Sequence, residues 1–169
     1  MSTPSSDHRM MIPYIPDDPK ILEALGTISL RHSFLDHILR MTVKSLTGIS
    51  IQDAMDGTAF QGSSTLRKRI LRIARDKLGE GSALIELQAI LERCRRATER
   101  RNDVIHSIWA QELDGDPKVR TENGWKPIPN VTELNALSEE LVALTKQLNT
   151  ARLEGFLAKA LEKKKPAIG

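Results

Sequence analysis

The chain of 169 residues holds one cysteine, Cys94. This excludes an internal disulfide and a cysteine-built zinc site, and it suits a reducing, cytoplasmic setting. Cys94 falls on an apolar helical stripe, which makes it core material before it makes it a nucleophile. Long apolar runs are also missing. None approaches the roughly 18 residues of a membrane span, and the polar start Met1–Asp7 shows no hydrophobic leader, so a soluble protein is expected. Charge of one sign is scarce: 25 basic against 22 acidic residues leave +3, too little to establish a nucleic-acid partner. Aromatic residues make up only 4%. With long helical periods elsewhere, that scarcity points to an all-α bundle of four to five helices.

What is present is unevenly placed. Arg67, Lys68, Arg69, Arg72, Arg75 and Lys77 form one basic cluster; Arg93, Arg95, Arg96, Arg100 and Arg101 form another. Each is read either as a solvated helix face or as a phosphate-contacting one. Residues 1–17 carry Pro4, Pro13 and Pro16 and are expected to be a flexible arm, made sticky by Met10, Met11, Ile12, Tyr14 and Ile15. Residues 18–162 form the helical domain, and 163–169 a basic tail.

Asp18-Pro19 is a helix start, a capping aspartate followed by proline in the first turn. The apolar seam from Ile21 through Leu25, Ile28, Leu35, Leu39 and Leu46 carries that helix to about Thr47, with His32 inside the seam as a packed, hydrogen-bonded residue. Ser50 caps a short helix to about Met55. Ser63 or Ser64 is expected to cap the next, with Leu66, Ile70, Ile73 and Leu78 inward and Gly79 as its stop. Ser82 opens a long helix whose seam is Ala83, Leu87, Ile90, Cys94, Ala97, Arg101, Val104 and Ile108; Thr98 lies on its second stripe. Arg101 interrupts apolar spacing, and a charge there needs a partner, a polar cleft or a path to water. Lys118–Thr121 and Trp125–Ile128 are expected to pair as a small β-hairpin about Asn123-Gly124. Asn130-Val131-Thr132-Glu133 reads as a capping box for a last helix reaching Leu161, with Gly155 its weak point.

Arg101-Asn102-x-x-x-His106 brings together a permanent forked charge, an amide and an imidazole that can move a proton near neutral pH. The motif, near the end of a long helix in a small bundle, resembles that of the HEPN superfamily (higher eukaryotes and prokaryotes nucleotide-binding domains). The resemblance covers residues 18–162 at most. It implies a HEPN-like bundle with a small β-hairpin insertion after the motif helix, often dimeric, with two motifs facing one cleft. It further implies a metal-independent endoribonuclease, such as a toxin or defence effector, with RNA as substrate, no cofactor, and an antitoxin or regulatory protein as a further partner. By carry-over, His106 is the general base or acid, Arg101 holds the scissile phosphate, and Asn102 orients the histidine or the phosphate. Arg100, Arg67, Lys68, Arg72 and Arg75 are weaker candidates for RNA contact.

Three alternatives stand beside this. A non-catalytic HEPN-like adaptor would use the bundle for dimerisation or partner binding. A structural Arg101 would pair with Glu99 or Asp103 while His106 packed beside Trp109. DNA binding through the Arg67–Lys77 helix would rest on charge alone. Arg31-x5-His37 also fits the bare spacing but lacks the asparagine, so it is read as coincidence. On a straight helix, residues five apart diverge by about 140°, so Arg101 and His106 are not expected to share a face, whereas Asn102 and His106 are. This favours a composite site completed by a second copy.

Overall fold

The structure, a computed structural model, describes residues 11–164. Its helices are α1 (Pro19–Thr47), α2 (Ile51–Asp56), α3 (Ser63–Leu78), α4 (Ser82–Ile105), α5 (Val131–Leu153) and α6 (Phe156–Lys163). Its strands are β1 (Met11–Pro13), β2 (Trp109–Glu112), β3 (Pro117–Thr121) and β4 (Gly124–Pro127). No helix among these residues is long and apolar enough to cross a membrane.

α1 is the spine. Asp18 accepts from the backbone N–H of Lys20 at 2.9 Å, and Pro19 sits in the first turn. Gly48, at φ 74, ends the helix in the left-handed region that favours glycine. Ile28, Leu35 and Leu39 are fully buried and pack chiefly on α5, whose Leu141, Leu144 and Leu148 are also without exposure. α3 and α4 close the other flank with Leu66, Ile70, Leu87 and Cys94. Burial pushes the Cys94 thiol up to about 12, so it stays protonated and inert. α5 opens on the expected capping box: Asn130 accepts from Glu133 N at 2.9 Å and donates its own N–H to Glu133 Oε2 at 2.8 Å. The chain breaks at Gly155, where a Cβ would stand 2.9 Å from Ala151 Cα, and restarts as α6.

Several expectations are corrected. The N-terminal segment is not a loose arm throughout: Met11–Pro13 pairs antiparallel with β2, Met11 opposite Glu112. Residues 1–10 and 165–169, which include most of the basic tail, lie outside the described chain. The insertion is therefore a four-stranded antiparallel sheet in the order β1-β2-β3-β4 rather than a hairpin. Thr121 faces Gly124, so the tight turn is Glu122-Asn123, one residue earlier than expected, and Gly124 takes φ 102 at its exit. Ser63 is not the cap of α3. Gly62 occupies that position, and the Ser63 hydroxyl is drawn inward. Ile73 is only half-buried, and Ala74 takes the core position.

The last correction bears on the site. α4 stops at Ile105, three residues short of the periodic seam, and Ile108 is 63% exposed. Trp109 provides the reason. Its Nε1–H donates to the Val104 carbonyl at 2.9 Å, satisfying one end of the helix from outside. Tyr14 N–H donates to the Trp109 carbonyl at 2.9 Å and Arg120 N–H to the Ile108 carbonyl at 2.8 Å. The sheet thus takes over the backbone immediately after His106.

Candidate functional site

Because α4 ends early, His106 is the residue that caps it, at φ −104 and ψ −4. Its ring turns back over the last turn. Arg101 Nη1 lies 2.5 Å from His106 Nε2 and 3.1 Å from Asn102 Oδ1. The three motif residues therefore gather within one chain, around the guanidinium, and the ideal-helix expectation that Arg101 and His106 diverge does not hold. An arginine can only donate, so His106 Nε2 accepts and its ring is neutral, with the proton on Nδ1. Arg101 is half-buried, whereas Asn102 and His106 are exposed. Arg101 forms no ion pair with Glu99 or Asp103; Glu99 is held by Arg95 at 2.5 Å. Trp109 turns its ring nitrogen to Val104.

The coincidental match behaves differently. Arg31 leaves the α1 surface for α5, binding Glu139 at 2.7 Å and Ser138 Oγ at 3.0 Å, while His37 is exposed. The two basic clusters also part company. In the second, Arg95 pairs with Glu92 and Glu99, Arg96 with Glu92, Arg100 with Glu140 at 2.5 Å, and Arg93 with Gln147 at 2.8 Å. Arg100 is thereby committed to α5. In the first, Lys68, Arg72 and Arg75 stand exposed along α3. Arg69 donates to the Gly57 carbonyl at 2.7 Å, and Arg67 turns inward.

Behind the motif lies a buried polar network. His32, only 4% exposed on α1, places Nε2 3.2 Å from Thr98 Oγ1 on α4 and 3.5 Å from Ser63 Oγ on α3. Thr98 spends its hydroxyl proton on the Cys94 carbonyl at 2.8 Å, and Ser63 donates to Asp36 Oδ1. Both oxygens therefore face His32 as acceptors, so Nε2 carries the proton. His32 Nδ1 is left 3.6 Å from Asp36 Oδ2. Burial lowers the His32 pKa from its ordinary value, against the pull of Asp36 and with the help of Arg101, Arg67 and His106. Thr98 lies about one helical turn before Arg101, so α4 carries both the network and the motif. The loop that sets Ser63 in place is pinned by Arg40, which donates to the Thr58 carbonyl and, at 3.1 Å, to the Gln61 carbonyl.

Sequence reasoning singled out Arg101, Asn102 and His106 as candidates, and it placed His32 in the core. It missed Asp36, Ser63 and Thr98 as partners. A signal existed: His32, Thr98 and Arg101 each break an apolar seam, and folding stacks these breaks together. No family model matches this chain, and neither a curated protein nor a solved structure matches it.

Proposed function

We propose that the chain is a HEPN-type, metal-independent endoribonuclease of the cytoplasm, of the kind used as a toxin or defence effector. The observation that carries the reading is the contact of the Arg101 guanidinium with His106 Nε2 and Asn102 Oδ1 at the exposed end of α4. The resting contact occupies the nitrogen a general base needs. A phosphodiester oxygen is a stronger acceptor for a guanidinium than a neutral imidazole is. An RNA phosphate docking at Arg101 therefore draws the guanidinium away and frees Nε2. His106 then accepts the proton of the ribose 2′-hydroxyl as that oxygen attacks phosphorus. The 5′-oxygen leaves with a proton from solvent water, His106 returns its own to solvent, and the products are a 2′,3′-cyclic phosphate and a 5′-hydroxyl. Arg101 stabilises the charge that builds on the phosphoryl oxygens, and Asn102 steadies the guanidinium between its two positions.

Pairing of two copies belongs to the same proposal. Leu30 and Phe34 stand 65% and 62% exposed on α1, in line with Gly26, which has open space above it. That stripe offers a helix-crossing surface to a second chain.

Replacing His106 by alanine tests the reading on a single-stranded RNA. The cleavage rate should fall by about 10²–10⁴-fold, the usual worth of a general acid or base. Melting should change little, because the ring is exposed. Parental cleavage by the variant would sink the assignment.

A further inference from the structure

The sheet turns one face to the bundle and the other to solvent. Val119 and Thr121 of β3 are buried, and Trp109 of β2 packs against the core. Side chains alternate along a strand, so Arg120, between Val119 and Thr121, points outward. Arg120 lies opposite Trp125 of β4 in the register. Its N–H donates to the Ile108 carbonyl at 2.8 Å, which carries the same row across to Ile108 at the entrance of β2. Ile108, Arg120 and Trp125 thus stand side by side on the open face. Ile108 is 63% exposed, Trp125 is 37% exposed, and Arg120 is exposed as well.

Two of these side chains touch. The Arg120 guanidinium sits over the Trp125 ring, 5.7 Å from its centroid, in a cation–π arrangement. Among the described residues that guanidinium makes no ion pair, whereas Arg31, Arg95, Arg96 and Arg100 are each held by a carboxylate. The chain has two tryptophans, and they are used differently. Trp109 is half-buried and spends its ring nitrogen on the Val104 carbonyl. Trp125 leaves its indole on the surface beside a planar, permanent charge. A flat π-surface and a guanidinium plane are the two kinds of group on which unpaired nucleobases stack. A cross-strand pair of this kind also steadies its hairpin. Its place argues for more. Ile108 follows His106 by two residues, and about 10 Å, two interstrand spacings, separates the backbone at Ile108 from that at Trp125. A strand held at Arg101 and His106 has only to pass Ile108 to reach the pair.

We infer that Arg120 and Trp125 form a stacking platform for an unpaired nucleobase of the RNA, one that neighbours the nucleotide being cut. This rests on the ribonuclease reading. It adds a base contact outside the motif and makes the sheet part of the binding surface. Every base has a π-face, so the platform selects single-stranded RNA over duplex rather than one base over another. Trp125 is in this account a binding residue, and its loss raises the concentration of RNA needed more than it slows the chemical step.

The test measures binding of a short single-stranded 2′-O-methyl RNA, which lacks the attacking hydroxyl, to the full chain, together with the tryptophan fluorescence of the protein. Trp125→Leu should weaken binding about tenfold, as expected for one lost stacked base. Its salt slope should stay parental, because no charge is removed. Trp125→Phe keeps a π-face and should bind within about threefold of the parent. That variant should also lose the quenching that RNA causes in the parent, which assigns the signal to Trp125 rather than Trp109. Arg120→Gln, from the other half of the pair, should weaken binding about threefold or more and covers the case in which Trp125→Leu does not fold. Abasic nucleotides introduced one at a time should cost about tenfold at one position in the parent and nothing further there in Trp125→Leu. Parental affinity in the folded Trp125→Leu and Arg120→Gln variants, quenching that survives Trp125→Phe, or equal abasic losses in parent and variant would overturn the platform while leaving the ribonuclease reading intact. A parental protein that binds no RNA would overturn both.

Discussion

His32 shows how one residue couples folding to the site. Its Nε2–H is spent on Thr98 and Ser63, so a second proton would have to enter at Nδ1, beside Asp36. Burial opposes that proton, and so do the positive charges of Arg101 and Arg67; Asp36 favours it but does not prevail. The folded pKa lies below the ordinary 6.5. As pH falls below that value, the unfolded chain takes up a proton that the folded chain refuses, so folding loses stability in acid. Melting temperature should therefore drop between about pH 7 and about pH 5, and His32→Gln should flatten part of that fall. Equal pH dependence in the two proteins would contradict this assignment. Composition and spacing were enough to single out Arg101, Asn102 and His106. They could not show that the Arg101 and His106 side chains touch, because the contact depends on where α4 stops, and that is set by Trp109 and the sheet rather than by the motif.

Among the elements, helix boundaries with side-chain caps were readable and those set by tertiary contacts were not. Asp18, Ser50 and Asn130 announce α1, α2 and α5 because each satisfies the first free N–H groups from within its own segment. Ser63 carried the same local signal, yet its hydroxyl donates to the half-buried Asp36 carboxylate in a charge-assisted bond, and Gly62 takes the capping position. β1 was illegible for a similar reason: three residues containing a proline carry almost no strand signal, and only the exposed edge of β2 recruits them. The exposed stripe of α1 belongs to this scale as well. Phe34→Glu places a charge on the surface assigned to a second copy and should shift sedimentation toward the monomer, with little change in helical content. If the parental chain is already a monomer at the concentrations where it acts, the pairing proposal fails.

For the whole molecule, a bundle of long helices supplies rigidity and a four-stranded sheet supplies aim. α1, α3 and α4 each contribute one wall of the polar corner, and the sheet fixes the backbone that leaves His106. The two arginine clusters, alike in sequence, separate at this scale. In one, Arg95, Arg96 and Arg100 are paired with Glu92, Glu99 and Glu140, whereas the other keeps Lys68, Arg72 and Arg75 exposed, with Arg67 turned inward. That division could not be read from charge spacing, because it depends on which helix faces which. The ends of the cleaved strand report on the proposed chemistry. Incubated with single-stranded RNA in the presence of a chelator, the parental protein should leave 2′,3′-cyclic phosphate and 5′-hydroxyl ends. Intact RNA, or cleavage that leaves 5′-phosphate ends, would contradict the account.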